Sequence, residues 1–157
     1  MIEKSELLRG RDESHASEYT PEISDNLDRF LKAINVVRIL YSAPMEVASG
    51  WRPPSLNKNV KGAAKRSNHM MGLAIDFMDL DGKLRDWVLS HLPLMQELGF
   101  FFEDFRWTPT WVHFQIVPPA SGRRIFLPYA DVKKNPMTKP DAWSGIYDGQ
   151  YDQTKKA

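Results

Sequence analysis

Apolar side chains recur along this chain at two different spacings, and the changes between them mark out its elements. Ile23, Leu27, Phe30, Leu31, Ile34 and Val37 fall three or four residues apart, the spacing of one helix face. Thr20-Pro21-Glu22 supplies the start of that helix: a hydroxyl N-cap, a proline at the first helical position and an acid near the positive end. Pro44 closes the region. Residues 45–51 read as a short strand running into Arg52-Pro53-Pro54, where proline forbids further pairing and leaves Arg52 at the mouth of a loop. Residues 55–60 suit one helical turn and 61–66 a basic loop. Gly72 permits a tight turn into residues 73–77, predicted as a central strand, and residues 79–82 form the next turn. Leu84, Trp87, Val88, Leu92, Met95 and Leu98 then make a second helical stripe, interrupted or restarted at Pro93 and stopped by Gly99. Residues 100–105 and 111–117 read as two strands, and the five residues between them suit a hairpin.

These elements predict an α+β domain, a small antiparallel sheet with helices packed against it. Its expected extent is residues 20–132. Residues 1–19 are polar and without clear periodicity, so a loosely packed arm is expected there. Beyond Pro118 the chain is rich in proline, glycine and charge. Residues 123–129 are expected to dock on the domain, 133–157 to form an extended tail, and 152–157 to be disordered. No internal repeat is present.

Composition narrows the function classes. A chain of 157 residues, 42% hydrophobic and 11% aromatic, suits one globular domain with a buried core. A net charge of +1 and the lack of any dense basic run argue against nucleic acid as the main ligand. No apolar run approaches the roughly 20 residues of a membrane span, so membrane insertion is not expected. The N-terminus, Met1-Ile2-Glu3-Lys4-Ser5-Glu6, lacks the apolar centre of a secretion signal, so synthesis in a cytoplasm is expected, with delivery by another agent if the protein acts outside. The absence of cysteine removes disulfides, thiolate zinc sites and cysteine nucleophiles together. A monomer is expected.

The candidate chemistry lies in Ser67-Asn68-His69-Met70-Met71-Gly72-Leu73-Ala74-Ile75-Asp76 and in Trp111-Val112-His113-Phe114. His69, Asp76 and His113 offer two imidazole nitrogens and one carboxylate. That set suits Zn²⁺ with the fourth position left for water, the catalytic arrangement. Each residue alone has an ordinary reading, since a histidine beside a tryptophan is usually a hydrogen-bonded packing residue and an aspartate at a strand end often caps a turn. His15, in the polar arm, and His91, on the polar side of a helix, keep that reading. The combination is more specific, provided the turn at Gly72 and the sheet bring the three together.

Ser67-x-His69-x-x-Gly72-x-Ala74-x-Asp76, Trp111-x-His113 and Ser49-Gly50-Trp51-Arg52 together resemble the signature of the M15 zinc peptidases, over residues 47–115 and in the same order. These are the D-alanyl-D-alanine carboxypeptidases and dipeptidases and the phage L-alanyl-D-glutamate endopeptidases, which cut peptidoglycan peptides. The resemblance implies a Hedgehog/DD-peptidase-like fold and one zinc per chain, held by His69, Asp76 and His113. It also implies that Arg52 grips a substrate carboxylate or carbonyl oxygen, a task suited to a planar guanidinium. Ser67 and Asn68 are candidates to orient a ligand or the substrate backbone. Trp51, Trp107 and Trp111 are candidates to line the cleft or to build core.

One departure stands out. Several members carry a glutamate or aspartate three residues before the final histidine as general base, and here that position is Thr110. The nearest acids are Glu103 and Asp104. If Phe105 faces Trp111, antiparallel pairing puts Glu103 opposite His113, and a slip of one residue hands that place to Asp104. The resulting expectation is a zinc peptidase acting on the peptidoglycan stem peptide, in a phage or prophage lysis enzyme. The alternative is a non-catalytic cell-wall-binding module on the same fold, which Thr110 keeps open. A structural protein whose histidines pack without metal is a third reading.

Overall fold

The computed structural model describes residues 1–61, 63–120 and 122–126. The expected tail at 133–157 lies outside the described residues. Among the described residues, six α-helices, five of them short, and one sheet make up an α+β fold. The sheet is five-stranded, in the order β1 (Val47–Ser49), β2 (Ala74–Met78), β4 (Trp111–Gln115), β3 (Phe101–Glu103), β5 (Ile125–Phe126). The first three neighbouring pairs are antiparallel, as expected, while β5 runs parallel to β3 at the edge.

The long helix α3 (Pro21–Tyr41) begins as the sequence predicts, with the Thr20 hydroxyl accepting the Ile23 N–H at 3.3 Å. It runs four residues past Val37 and ends where Ser42 turns left-handed. Ile23, Leu27, Phe30, Ile34 and Val37 are buried on its inner face. Phe30 meets Phe100 edge-on at 5.5 Å. Phe100, Phe102 and Phe77 in turn surround Phe114 of β4 at 5.1, 4.9 and 5.5 Å, all edge-on. The core therefore lies between α3 and the sheet face that carries Ile75, Phe77, Phe102, Val112 and Phe114. The second helical stripe divides into α5 (Lys83–Ser90) and α6 (Leu92–Glu97), with Pro93 in the first turn of α6, where its missing N–H costs nothing.

Residues 1–19 are no loose arm. They form α1 (Lys4–Leu8), α2 (Arg11–Ser14) and a 3-10 turn (Ala16–Glu18). Leu7 is fully buried, and Ile2 and Leu8 nearly so. The Asn35 side chain holds Ile2 by a reciprocal pair of hydrogen bonds, accepting from its N–H at 2.8 Å and donating to its carbonyl at 3.0 Å. Three apolar anchors in an otherwise polar stretch are too few to show a period, which is why the pattern misses them. The Leu7 carbonyl accepts the Trp51 N–H at 2.8 Å. It approaches so closely that a Cβ on Gly50 would lie 2.0 Å from that oxygen. Only glycine fits there.

The strand link also differs from expectation. Residues 104–110 connect β3 to β4, because Asp104 leaves the β3–β4 ladder, giving its N–H to Phe126 (2.7 Å) and accepting the Trp107 N–H at its carbonyl (2.8 Å). Leu7→Ala is expected to lower unfolding stability by about 2–5 kcal/mol, the cost of truncating a fully buried leucine. Urea denaturation checks this, and a loss under about 0.5 kcal/mol would return residues 1–19 to a surface arm.

Candidate metal centre

His69 sits in a 3-10 turn (Asn68–Met71) whose ends are both set by the sequence. The Ser67 hydroxyl caps it by accepting the His69 N–H at 3.3 Å, and Gly72 closes it with φ +68°. A Cβ at Gly72 would also press on Leu27 of α3, at 2.9 Å. The turn is fastened from outside by three contacts. Asn26 of α3 donates to Met71 O at 2.9 Å, the Trp51 indole N–H donates to Met70 O at 2.9 Å, and Arg52 N–H donates to His69 O at 3.1 Å. Trp51 is fully buried against Tyr19, so it builds core and does not line a cleft. Ser67 is buried and its hydroxyl serves the turn.

Asp76 and His113 are directly paired across β2 and β4. Alternation turns both away from the core, on the face that also carries Trp111, which is half-buried, and Gln115, which is fully buried. Asp76 Oδ1 lies 2.8 Å from His113 Nδ1, and Asp76 Oδ2 lies 3.3 Å from His69 Nε2. The two imidazoles meet edge-on with centroids 5.3 Å apart. One ligand atom from each of the three residues can be chosen so that all lie within 4.8 Å of one another. The outward nitrogen of His69 faces Gly50 O at 3.1 Å. A carbonyl only accepts, so Nδ1 carries the proton and the Nε2 lone pair of the neutral ring points at Asp76. Imidazole, carboxylate and imidazole converging in this way is a donor set that fits a divalent zinc ion.

The family model for peptidase M15 matches residues 3–101, well over half of the chain. The chain belongs to the peptidase M15 family. Comparison with characterised proteins and with solved structures gives no match. This M15 peptidase is therefore a metallopeptidase by family, and the family is in general zinc-dependent. The matched stretch begins inside the N-terminal segment and includes Arg52, His69 and Asp76. It ends at Phe101, short of Glu103 and His113, whose places rest on the geometry of the sheet.

That geometry separates the two acids of the M15 peptidase. The β3–β4 register pairs Phe101 with Gln115 and Phe102 with Phe114, and its continuation sets Glu103 across from His113. Glu103 Oε1 lies 3.9 Å from His113 Nε2. Asp104 points the other way and is 1% exposed. Its Oδ1 accepts from Arg106 N and Nε at 3.0 and 2.9 Å, and its Oδ2 accepts from Arg106 Nη2 at 2.8 Å. Asp104 is thus committed to a buried ion pair. Arg52 is held by Ser49 Oγ at 3.0 Å and by Asn57 Oδ1 at 3.2 Å. Burial lowers the Arg52 guanidinium from its ordinary value, and Asp76 and Glu103 work against that, so it remains a cation.

Residues outside the sequence reading complete the surroundings: the Gly50 carbonyl, Asn57 and above all Gln115, whose Oε1 lies 3.1 Å from His113 Nε2. Its position two residues after His113 placed it on the same strand face, a signal available in the sequence.

Burial is also the main influence on His69, driving its imidazole below the ordinary value, with Asp76 opposing in part. Burial raises the Asp76 carboxyl, but the facing His69 and His113 more than offset it and hold it below the usual carboxylate range. Neutral imidazole and ionised carboxylate are the ligand forms. For His69 the unfolded chain binds a proton near pH 6.5, where the folded chain does not. Stability of the chelator-treated protein should therefore be complete above about pH 6.5 and fall as pH drops below it, with a further loss below about pH 4 from Asp76. Urea midpoints between pH 8 and 5 test this, and a midpoint that holds steady or rises on acidification would contradict the buried placement of His69.

Proposed function

We propose that this M15 peptidase hydrolyses a peptide bond of the peptidoglycan stem peptide, with one zinc ion held by His69, Asp76 and His113. The observation that carries the reading is the convergence of three donors from a capped turn and two paired strands, with Glu103 beside His113 and Arg52 within electrostatic reach of Asp76 and Glu103. Zinc bound there would supply Lewis acidity toward the scissile carbonyl and make water acidic enough to ionise near neutral pH. Glu103 takes the proton of the attacking water and returns it to the leaving amine, a general-base role followed by a general-acid role. Arg52, fixed by Ser49 and Asn57, grips a substrate carboxylate or carbonyl oxygen with its remaining donors. Trp111, on the same strand face as His113, supplies an apolar wall for the peptide. A compact wall peptidase of this kind suits a phage or prophage lysis enzyme, and that setting is part of the proposal.

A second reading, a wall-binding module without catalysis, is favoured by Thr110 at the position where relatives carry the base. Glu103 answers it by offering a carboxylate to the same histidine from the neighbouring strand.

Purified protein is expected to carry about one zinc and to clear cell-wall suspensions, with both properties lost in His113→Ala. Glu103→Gln should keep the zinc and lose roughly 10²–10⁴-fold in rate. Asp104→Asn should instead cost about 3–5 kcal/mol of stability, by neutralising one member of the buried Asp104–Arg106 ion pair. Wild-type rates in Glu103→Gln would remove it as the base, and zinc-loaded protein that binds wall without cutting it would establish the second reading. Mass analysis of fragments from defined peptidoglycan then assigns the bond, L-Ala–D-Glu, D-Ala–D-Ala or a cross-bridge peptide.

A further inference from the structure

His69 has its outward nitrogen fixed by a backbone carbonyl, whereas His113 faces a side-chain amide that could in principle point either way. The surrounding bonds settle the direction. Gln115 Nε2 lies 2.8 Å from Val117 O, and a carbonyl can only accept, so that end of the amide is the NH₂. Gln115 Oε1 is therefore the end presented to the site, and it has two neighbours: Asn68 Nδ2 at 3.1 Å and His113 Nε2 at 3.1 Å. Asn68 donates to it, and His113 donates to it when Nε2 carries the ring proton. Gln115 is 0% exposed, so water is not available to replace any of these partners. The chain of constraint runs from a backbone carbonyl through one amide to one ring nitrogen. With that proton on Nε2, the Nδ1 lone pair is directed toward Asp76 Oδ1, 2.8 Å away.

The opposite tautomer is the hazard this arrangement opposes. A carboxylate 2.8 Å from Nδ1 attracts a proton to that nitrogen, which would close His113 to a metal. With the proton on Nδ1, Nε2 and Gln115 Oε1 would be two acceptors 3.1 Å apart in a dry pocket, an unfavourable contact. We propose that Gln115, oriented by Val117 O and assisted by Asn68, is a positioning residue that keeps the proton of His113 on Nε2 and so reserves Nδ1 for the metal. This rests on the zinc reading given above.

The test uses the full chain, with zinc affinity read by chelator competition and the imidazoles read by long-range ¹H–¹⁵N NMR. In the zinc-loaded wild type the His113 proton is expected on Nε2 with the metal on Nδ1. Gln115→Met keeps the volume and removes the acceptor, and should weaken zinc binding by about 10–100-fold. Gln115→Glu restores an acceptor for both His113 and Asn68, and should bind zinc within about threefold of wild type or more tightly. A residue that merely filled space would give the reverse order, since a buried carboxylate facing Val117 O packs worse than methionine. Should Gln115→Met fail to fold, Gln115→Glu decides alone: a loss of tenfold or more overturns the proposal. Metal on Nε2 in the wild type, or unchanged affinity in folded Gln115→Met, overturns it as well. A wild type that takes up no zinc would sink the zinc reading itself, an outcome distinct from zinc-loaded wild type and Gln115→Met behaving alike.

Discussion

The pairing of Asp76 with His113 across β2 and β4 is the constraint on which the rest of this structure depends. The same ladder pairs Ile75 with Phe114 and Phe77 with Val112 on the opposite face, all four fully buried. A strand has a side-chain period of two, so a slip of one residue would exchange the two faces. Asp76 would enter the aromatic layer around Phe114, and two large apolar side chains would turn outward. Burying an unpaired carboxylate costs several kcal/mol, so the core holds the register and the register sets the distance between carboxylate and imidazole. The site's geometry follows from packing on the other side of the sheet.

His69 reaches the same point by a different device. It lies on a turn fastened by α3, by the Trp51 indole and by the backbone of Arg52. Gly50 has two roles there. Its missing Cβ admits the Leu7 carbonyl to the Trp51 N–H, and its own carbonyl orients the His69 ring. The N-terminal helices thus support the site at one remove, in keeping with a family match that starts at residue 3. Support of this kind holds a ligand in place more firmly than the ligand's own rotamer preference would.

Glu103 and Asp104 are neighbours with opposite fates, decided by the strand end between them. Glu103 is the last residue of β3 and faces the site, while Asp104 turns into a closed pair with Arg106. Arg106 engages both oxygens of Asp104, which turns that carboxylate away from the site.

The sequence by itself determined the helices with a cap and a period, α3 and the split pair α5 and α6, and the strands with clear apolar runs, β2, β3 and β4. It also singled out His69, Asp76 and His113, because a capped turn, a glycine and two strands are local signals. It left open which of Glu103 and Asp104 approaches His113, because that depends on a hairpin register set by packing between elements far apart in the chain. It misjudged residues 1–19, where Ile2, Leu7 and Leu8 are anchors without periodicity, and it left Trp51 between cleft and core, a choice the fold makes for the core. Gln115 was overlooked, since an amide acquires a direction only from the partners around it. What tertiary structure alone decided is the convergence. Local spacing can specify which atoms a chain offers, but their separation is fixed by how the sheet, the long helix and the N-terminal segment share one buried volume.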